Sequence, residues 1–217
     1  MTRSDYSTFL TENKLIAIVR GVEKKDIVPT MEALYKGGIR LAEITFDASG
    51  KTTDEETEEK IRLAADAMNG RMLIGAGTVT MPAQAERTKR AGGVFIISPD
   101  VNVSVIRRTR ALGMLSVPGA LTPTEIRTAN AAGADFVKVF PAGCFGVTYF
   151  KALRAPLSDI RMLAVGNITE DNLRDYLDAG AVGFGISSGI VRRDLISAGK
   201  FDEITALAAR YTALLAE

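Results

Sequence analysis

Eight short runs of apolar, often β-branched residues recur along the chain, and a helical pattern follows each of them. The runs are LIAIV (15–19), LAEITF (41–46), MLIGAG (72–77), VFIIS (94–98), MLSVP (114–118), DFVKVF (135–140), MLAVG (162–166) and VGFGI (182–186). Strands that alternate with helices at this spacing form parallel βαβ units. Eight units without a break in composition predict a closed (β/α)8 TIM barrel, one domain over residues 1–217 with a short N-terminal helix. A doubly wound open sheet is the alternative, but no GxGxxG follows the first strand. Local signals agree with the repeat. In LTPTE, Thr122 reads as a helix N-cap, Pro123 as the first helical residue and Glu125 as the partner completing a capping box. Thr80 and Thr169 read as further N-caps, and glycines at 37–38, 92–93, 113, 133 and 180 mark helix exits.

Composition narrows the chemistry. Of 217 residues, none is histidine and one, Cys144, is cysteine. Imidazole-dependent triads and zinc sites are therefore excluded, as is an intrachain disulfide, and a reducing, cytoplasmic setting is expected. No metal or other cofactor is expected, so proton transfer falls to carboxylates, lysine, tyrosine or water. The 27 basic and 26 acidic residues are dispersed, with no basic block for nucleic acid and no polybasic helix or long apolar run for a membrane. The acidic run DEETEEK (54–60) reads as a solvated helix face.

In a barrel, chemistry gathers where strands end and βα-loops begin. The residues at those ends are Arg20, Glu43 with Thr45, Thr78, Ser98–Pro99, Pro118–Gly119, Lys138, Gly166–Asn167, and Gly185 with Ser187–Ser188. Lys138 lies between Phe136 and Phe140 on one strand face, where burial lowers an amine's pKa from about 10.4. A neutral amine attacks carbonyls and forms Schiff bases. The competing reading is a lysine that snorkels to the rim or pairs with a carboxylate. Glu43 is either a proton shuttle or the structural partner of Lys138 or Arg20. Thr78 follows two glycines and reads equally as a ligand contact or a helix cap. The glycine turns VGNI and GISSG after the last two strands offer backbone N–H groups to a phosphate. Cys144 has no assigned role.

The segments IAIVRG (16–21), LAEITF (41–46), IGAGTV (74–79), IISPD (96–100), SVPGALTPTE (116–125), FVKVFPAG (136–143) and AVGNI (164–168) resemble the 2-keto-3-deoxy-6-phosphogluconate aldolase family, which includes 4-hydroxy-2-oxoglutarate aldolase. The resemblance runs in order over nearly the whole chain. It implies a class I aldolase, commonly homotrimeric, that cleaves a 2-keto-3-deoxy sugar acid to pyruvate and an aldehyde without a cofactor. Lys138 would be the Schiff-base lysine and Glu43 the general acid/base. Thr78 would hold the pyruvyl carboxylate, Pro99 and Phe140 would shape the pocket, and Gly166, Asn167, Ser187 and Ser188 would take the phosphate. Two positions depart from the family pattern. Asp47 stands where many members carry a carboxylate-gripping arginine, a task Arg20 could take over, and Asn167 replaces the second glycine of the phosphate turn. The alternatives are cleavage of 4-hydroxy-2-oxoglutarate to pyruvate and glyoxylate, and a non-catalytic barrel that binds a sugar acid or phosphate.

Overall fold

The computed structural model describes residues 1–216. After an N-terminal helix α1 (Arg3–Asn13), strands β1 (Leu15–Val19), β2 (Leu41–Thr45), β3 (Leu73–Gly77), β4 (Phe95–Ile97), β5 (Leu115–Val117), β6 (Gly119–Ala120), β7 (Val137–Val139), β8 (Met162–Val165) and β9 (Gly183–Ile186) form one sheet. Every pairing is parallel, and β9 returns to β1. The fifth predicted strand is split. Pro118 lacks the N–H that would continue the ladder, so β5 pairs with β4 while β6, immediately beyond it, pairs with β7. The two halves are one barrel strand, and the sheet is the expected (β/α)8 barrel.

The intervening helices are α2 (Ile27–Lys36), α3 (Asp54–Met68), α4 (Pro82–Arg90), α5 (Val103–Ala111), α6 (Pro123–Ala132), α7 (Ala142–Arg154) and α8 (Leu173–Asp178). The chain ends with α9 (Arg193–Ser197) and α10 (Phe201–Ala213). Strand alternation divides the apolar residues into two groups. Ile16, Leu41, Leu73, Phe95, Leu115, Phe136 and Leu163 point into the barrel, where Leu10 of α1 closes the end opposite the βα-loops. Ala17, Ala42, Ile74, Ile96, Val137 and Phe184 face the helices. The helix ring closes by contact of the last helix with the first barrel helix. Thr205 donates to the Ala33 carbonyl at 3.0 Å and Thr212 to the Gly37 carbonyl at 2.9 Å. Gly37 permits this approach, because a Cβ there would stand 2.4 Å from the Cβ of Ala208.

The capping box of α6 forms as expected, with Glu125 accepting from the Thr122 N–H at 2.8 Å. Two other caps differ. Met81, not Thr80, is the N-cap of α4, where Gln84 accepts from the N–H groups of both Thr80 and Met81. At α8 the side chain of Asn172 accepts from the Thr169 N–H, the reverse of the expected polarity. The acidic run also departs from a solvated face. Glu58 and Lys60 are 8% and 7% exposed, and Glu58 gathers Arg62, Arg87 and Arg90 between α3 and α4. Its burial pushes the carboxyl up, but hydrogen bonds from Arg90 and Arg87 outweigh that and hold it below the ordinary glutamate value.

Candidate active site

The mouth of the barrel opens into a cavity of about 670 Å³ at the C-terminal ends of the strands. Arg20, Glu43, Thr78, Pro99, Lys138, Phe140, Gly166, Asn167, Ser187 and Ser188 all line it, so the tertiary structure brings together every site residue expected from the sequence. Four other strand-end residues do not line it: Thr45 lines a neighbouring cavity, and Ser98, Pro118 and Gly119 line neither.

Lys138 extends the inward row of β7 one step above the core residue Phe136, which leaves it 8% exposed. Its Nζ lies 4.6 Å from the centre of the Phe140 ring. The two phenylalanines thus have different tasks: one floors the amine with apolar packing, the other offers it a π face at the rim. Burial lowers the Lys138 pKa; Glu43 opposes that shift, and the Arg20 guanidinium reinforces it.

Glu43 sits in β2 in register with Ile18 of β1 and Gly75 of β3. It is 2% exposed, and its Oε2 has no hydrogen-bond partner. Burial raises its pKa to about 7 against the pull of Lys138 and Arg20. Among the described residues no ion pair joins Glu43 to either cation at contact distance, so the reading of Glu43 as one half of a structural salt bridge is not supported. Gly77 makes room for the carboxyl: a Cβ there would lie 2.5 Å from Glu43 Cδ. An orphaned acid titrating near neutrality beside a depressed lysine is an acid/base pair whose environments bring the two pKa values together.

Thr78 occupies the left-handed region at φ 57, an unfavourable place for a β-branched residue. Its hydroxyl accepts a hydrogen bond from Arg20 Nη2 at 3.0 Å. The end of β1 and the end of β3 are therefore joined across Glu43. Asp47, where the family pattern has arginine, turns back on its own loop. It accepts from the Ser49 N–H at 2.9 Å, the Ser49 hydroxyl at 2.7 Å and the Thr52 N–H at 3.0 Å. These bonds, led by the Ser49 hydroxyl, hold its carboxyl down at about 2.

On the far side of the cavity, Gly166 and Asn167 take φ 90 and φ 55. The Asn167 side chain is tied to α7, donating from Nδ2 to Cys144 Sγ at 3.2 Å, and its carbonyl accepts from Asn172 at 3.0 Å. Ser187 and Ser188 follow β9, with the Ser187 carbonyl accepting from the Ile190 and Val191 N–H groups. Sequence reasoning missed Tyr211, a buried residue of α10 that also lines the cavity. Gly189 leaves space for it, since a Cβ there would stand 2.4 Å from the Tyr211 hydroxyl. No local signal marks a tyrosine in an amphipathic C-terminal helix as a cavity residue.

A family model described as KDPG and KHG aldolase matches residues 7–207. The chain belongs to this family. It is therefore an aldolase, a carbon–carbon lyase, which removes the reading as a non-catalytic barrel. Among curated relatives of this aldolase, the 2-dehydro-3-deoxy-6-phosphogalactonate aldolase of Escherichia coli K12 is 39% identical over 90% of this chain and 91% of its own. The 2-dehydro-3-deoxy-phosphogluconate aldolase of Treponema pallidum is 33% identical over 89% and 90%. Among solved structures, the KDPG aldolase of Legionella pneumophila superposes with a TM-score of 0.84 at 26% identity, covering 94% of this chain and 96% of that one. That protein was captured with pyruvate as a covalent carbinolamine. The family description and both relatives agree on the aldolase and differ in the sugar acid.

Proposed function

We propose that the chain, acting as a single domain, cleaves a 2-keto-3-deoxy-6-phospho sugar acid to pyruvate and glyceraldehyde 3-phosphate through a Schiff base on Lys138. The observation that carries this reading is the pairing of a buried lysine of lowered pKa with a buried, unpartnered glutamate titrating near 7 in one cavity. The neutral Lys138 amine adds to the C2 ketone, and Glu43 delivers the proton with which the carbinolamine loses water. The resulting iminium accepts the electron pair of the C3–C4 bond as Glu43 removes the C4 hydroxyl proton. The aldehyde leaves, and an enamine of pyruvate remains. Reprotonation at C3 and hydrolysis then free pyruvate and restore the amine.

Thr78 and Arg20, already joined at 3.0 Å, offer a hydroxyl and a guanidinium to the pyruvyl carboxylate. Arg20 takes the role left open by Asp47. Pro99 and Phe140 wall the pocket. The turn at Gly166–Asn167 and the Ser187–Ser188 loop receive the phosphate. The Asn167 amide is held by Cys144, so the turn offers the phosphate its backbone rather than that side chain. The higher identity to the galactonate-named relative favours the galacto epimer at C4.

Incubation with pyruvate and borohydride is expected to add one reduced pyruvyl group to the chain at Lys138, and none to the Lys138→Ala variant. An unmodified wild-type protein would rule the mechanism out. A substrate panel of both C4 epimers and 4-hydroxy-2-oxoglutarate then ranks the substrates, with the unphosphorylated acid expected to show the lowest kcat/KM.

A further inference from the structure

A second cavity, about 320 Å³, lies beside the first between the loops that follow β1 and β2. Arg20, Lys51, Lys60 and Arg193 line it, with Asp47 as its single carboxylate. That carboxylate keeps its charge, which offsets one of the cations, but its hydrogen bonds to Ser49 and Thr52 hold it in its own loop. Lys60, 7% exposed, is matched by Glu56 at 3.0 Å. Among the described residues, Arg20, Lys51 and Arg193 have no acidic partner within ion-pair distance. Like charges converging on a concave space repel one another unless an anion enters between them.

From this arrangement we propose that the second cavity is a binding site for a phosphate group, distinct from the phosphate end of the catalytic cavity. The three unpaired cations come from separate places in the chain: the end of β1, the β2–α3 loop and the start of α9. Such an approach from several directions suits a tetrahedral, multiply charged oxyanion better than a planar carboxylate gripped by one guanidinium. The turn that Asp47 holds together also fixes the backbone from which Lys51 projects. Arg20 lines both cavities, so an anion in the second competes with Thr78 for it. Phosphate binding there weakens the grip on the keto acid, a consequence that rests on the carboxylate role assigned to Arg20. The binding itself does not.

Titration calorimetry with inorganic phosphate in a phosphate-free buffer tests the site in three proteins. The wild-type chain is expected to take up a second, independent equivalent of phosphate beyond the one at Ser187–Ser188. A Ser187→Ala/Ser188→Ala variant is expected to retain that second event. Lys51→Ala/Arg193→Ala, at two exposed positions outside the catalytic cavity, is expected to weaken it by about tenfold or more, as lost charge-assisted hydrogen bonds do. In the same variant the cleavage reaction without phosphate stays unchanged, and inhibition by added phosphate falls to what competition at Ser187–Ser188 alone produces. Lys51→Gln, a milder single change in a surface loop, provides the same readout should the double variant fold poorly. Glycerol phosphate titrated alongside shows whether the site prefers free phosphate or a phosphomonoester. The proposal is overturned if Lys51→Ala/Arg193→Ala binds phosphate like the wild type. It also falls if all binding disappears in the serine variant, or if the wild type binds none. Heat of binding is read without turnover, so failure here is separable from failure of the Lys138 chemistry.

Discussion

Glu43 and Lys138 show how one barrel interior can adjust two opposite charges toward neutrality. Burial disfavours the charged form of each, and the other side chain stands too far away for a direct ion pair to cancel the effect. The arrangement has a signature in stability. Between pH 4.5 and about 7 the native chain keeps a proton on Glu43 that the unfolded chain releases, so this group's contribution to stability is lost as pH rises through that window. Above it the ionised carboxyl costs on the order of 3 kcal/mol. Lys138 acts in the opposite sense: the native chain gives up a proton that the unfolded chain holds, so its contribution declines as pH falls. Glu43→Gln removes the first effect and also the charge that opposed the lowering of Lys138. Its Tm relative to wild type is expected to climb from pH 4.5 to about 7 and level off beyond, while kcat falls by about 10²- to 10⁴-fold. Parallel melting curves across that range would show that the carboxyl is not held protonated.

At the scale of elements, the site depends on where strands omit side chains. β3 reads LIGAG, and both of its glycines face bulk: a Cβ at Gly75 would meet the Phe95 ring at 2.4 Å, and one at Gly77 the Glu43 carboxyl at 2.5 Å. Gly119 plays a comparable part in the divided fifth strand, where a Cβ would strike the Pro99 carbonyl at 2.4 Å. Gly77→Ala is expected to destabilise the chain by about 1–3 kcal/mol through overpacking. Because the added methyl displaces Glu43, kcat should fall much further than that loss explains, as denaturant unfolding and steady-state kinetics on the same preparation would reveal. Retained kcat would mean that the carboxyl has room to spare. The order of elements was legible in the apolar runs, and the α6 cap in LTPTE, because both depend on neighbours within a few residues. The caps of α4 and α8, and the burial of Glu58 and Lys60, were not. The cap bonds are just as local, three or four residues apart, but come from the amide side chains of Gln84 and Asn172 rather than from a threonine hydroxyl, while the burial of Glu58 rests on Arg87 and Arg90 of α4, which only packing brings into reach.

For the whole molecule, the family resemblance implies a homotrimer, and two exposed apolar side chains bear on it. Met81, at the start of α4, is 51% exposed, and Phe145, in α7, is 50% exposed. They follow different strands of the barrel. A ring in which one patch of each subunit meets the other patch of its neighbour would cover both. Light scattering is expected to give the mass of a trimer, and Phe145→Asp to shift it toward monomer; a monomeric wild type would remove the proposal.

Residue order by itself determined the eightfold repeat, the identity of the strand-end residues and the exclusion of imidazole chemistry, since each of these is a matter of local pattern or residue count. Folding decided the rest. Pairing of β1, β2 and β3 places Arg20 within 3.0 Å of Thr78 and leaves Glu43 between them without a partner for Oε2, and the packing of α10 sets Tyr211 beside Gly189. The folded β2–α3 loop turns Asp47 away from the role its position implied. The reason is that a pKa and a binding geometry belong to the groups surrounding a side chain, and in a barrel those groups come from strands far apart in the chain.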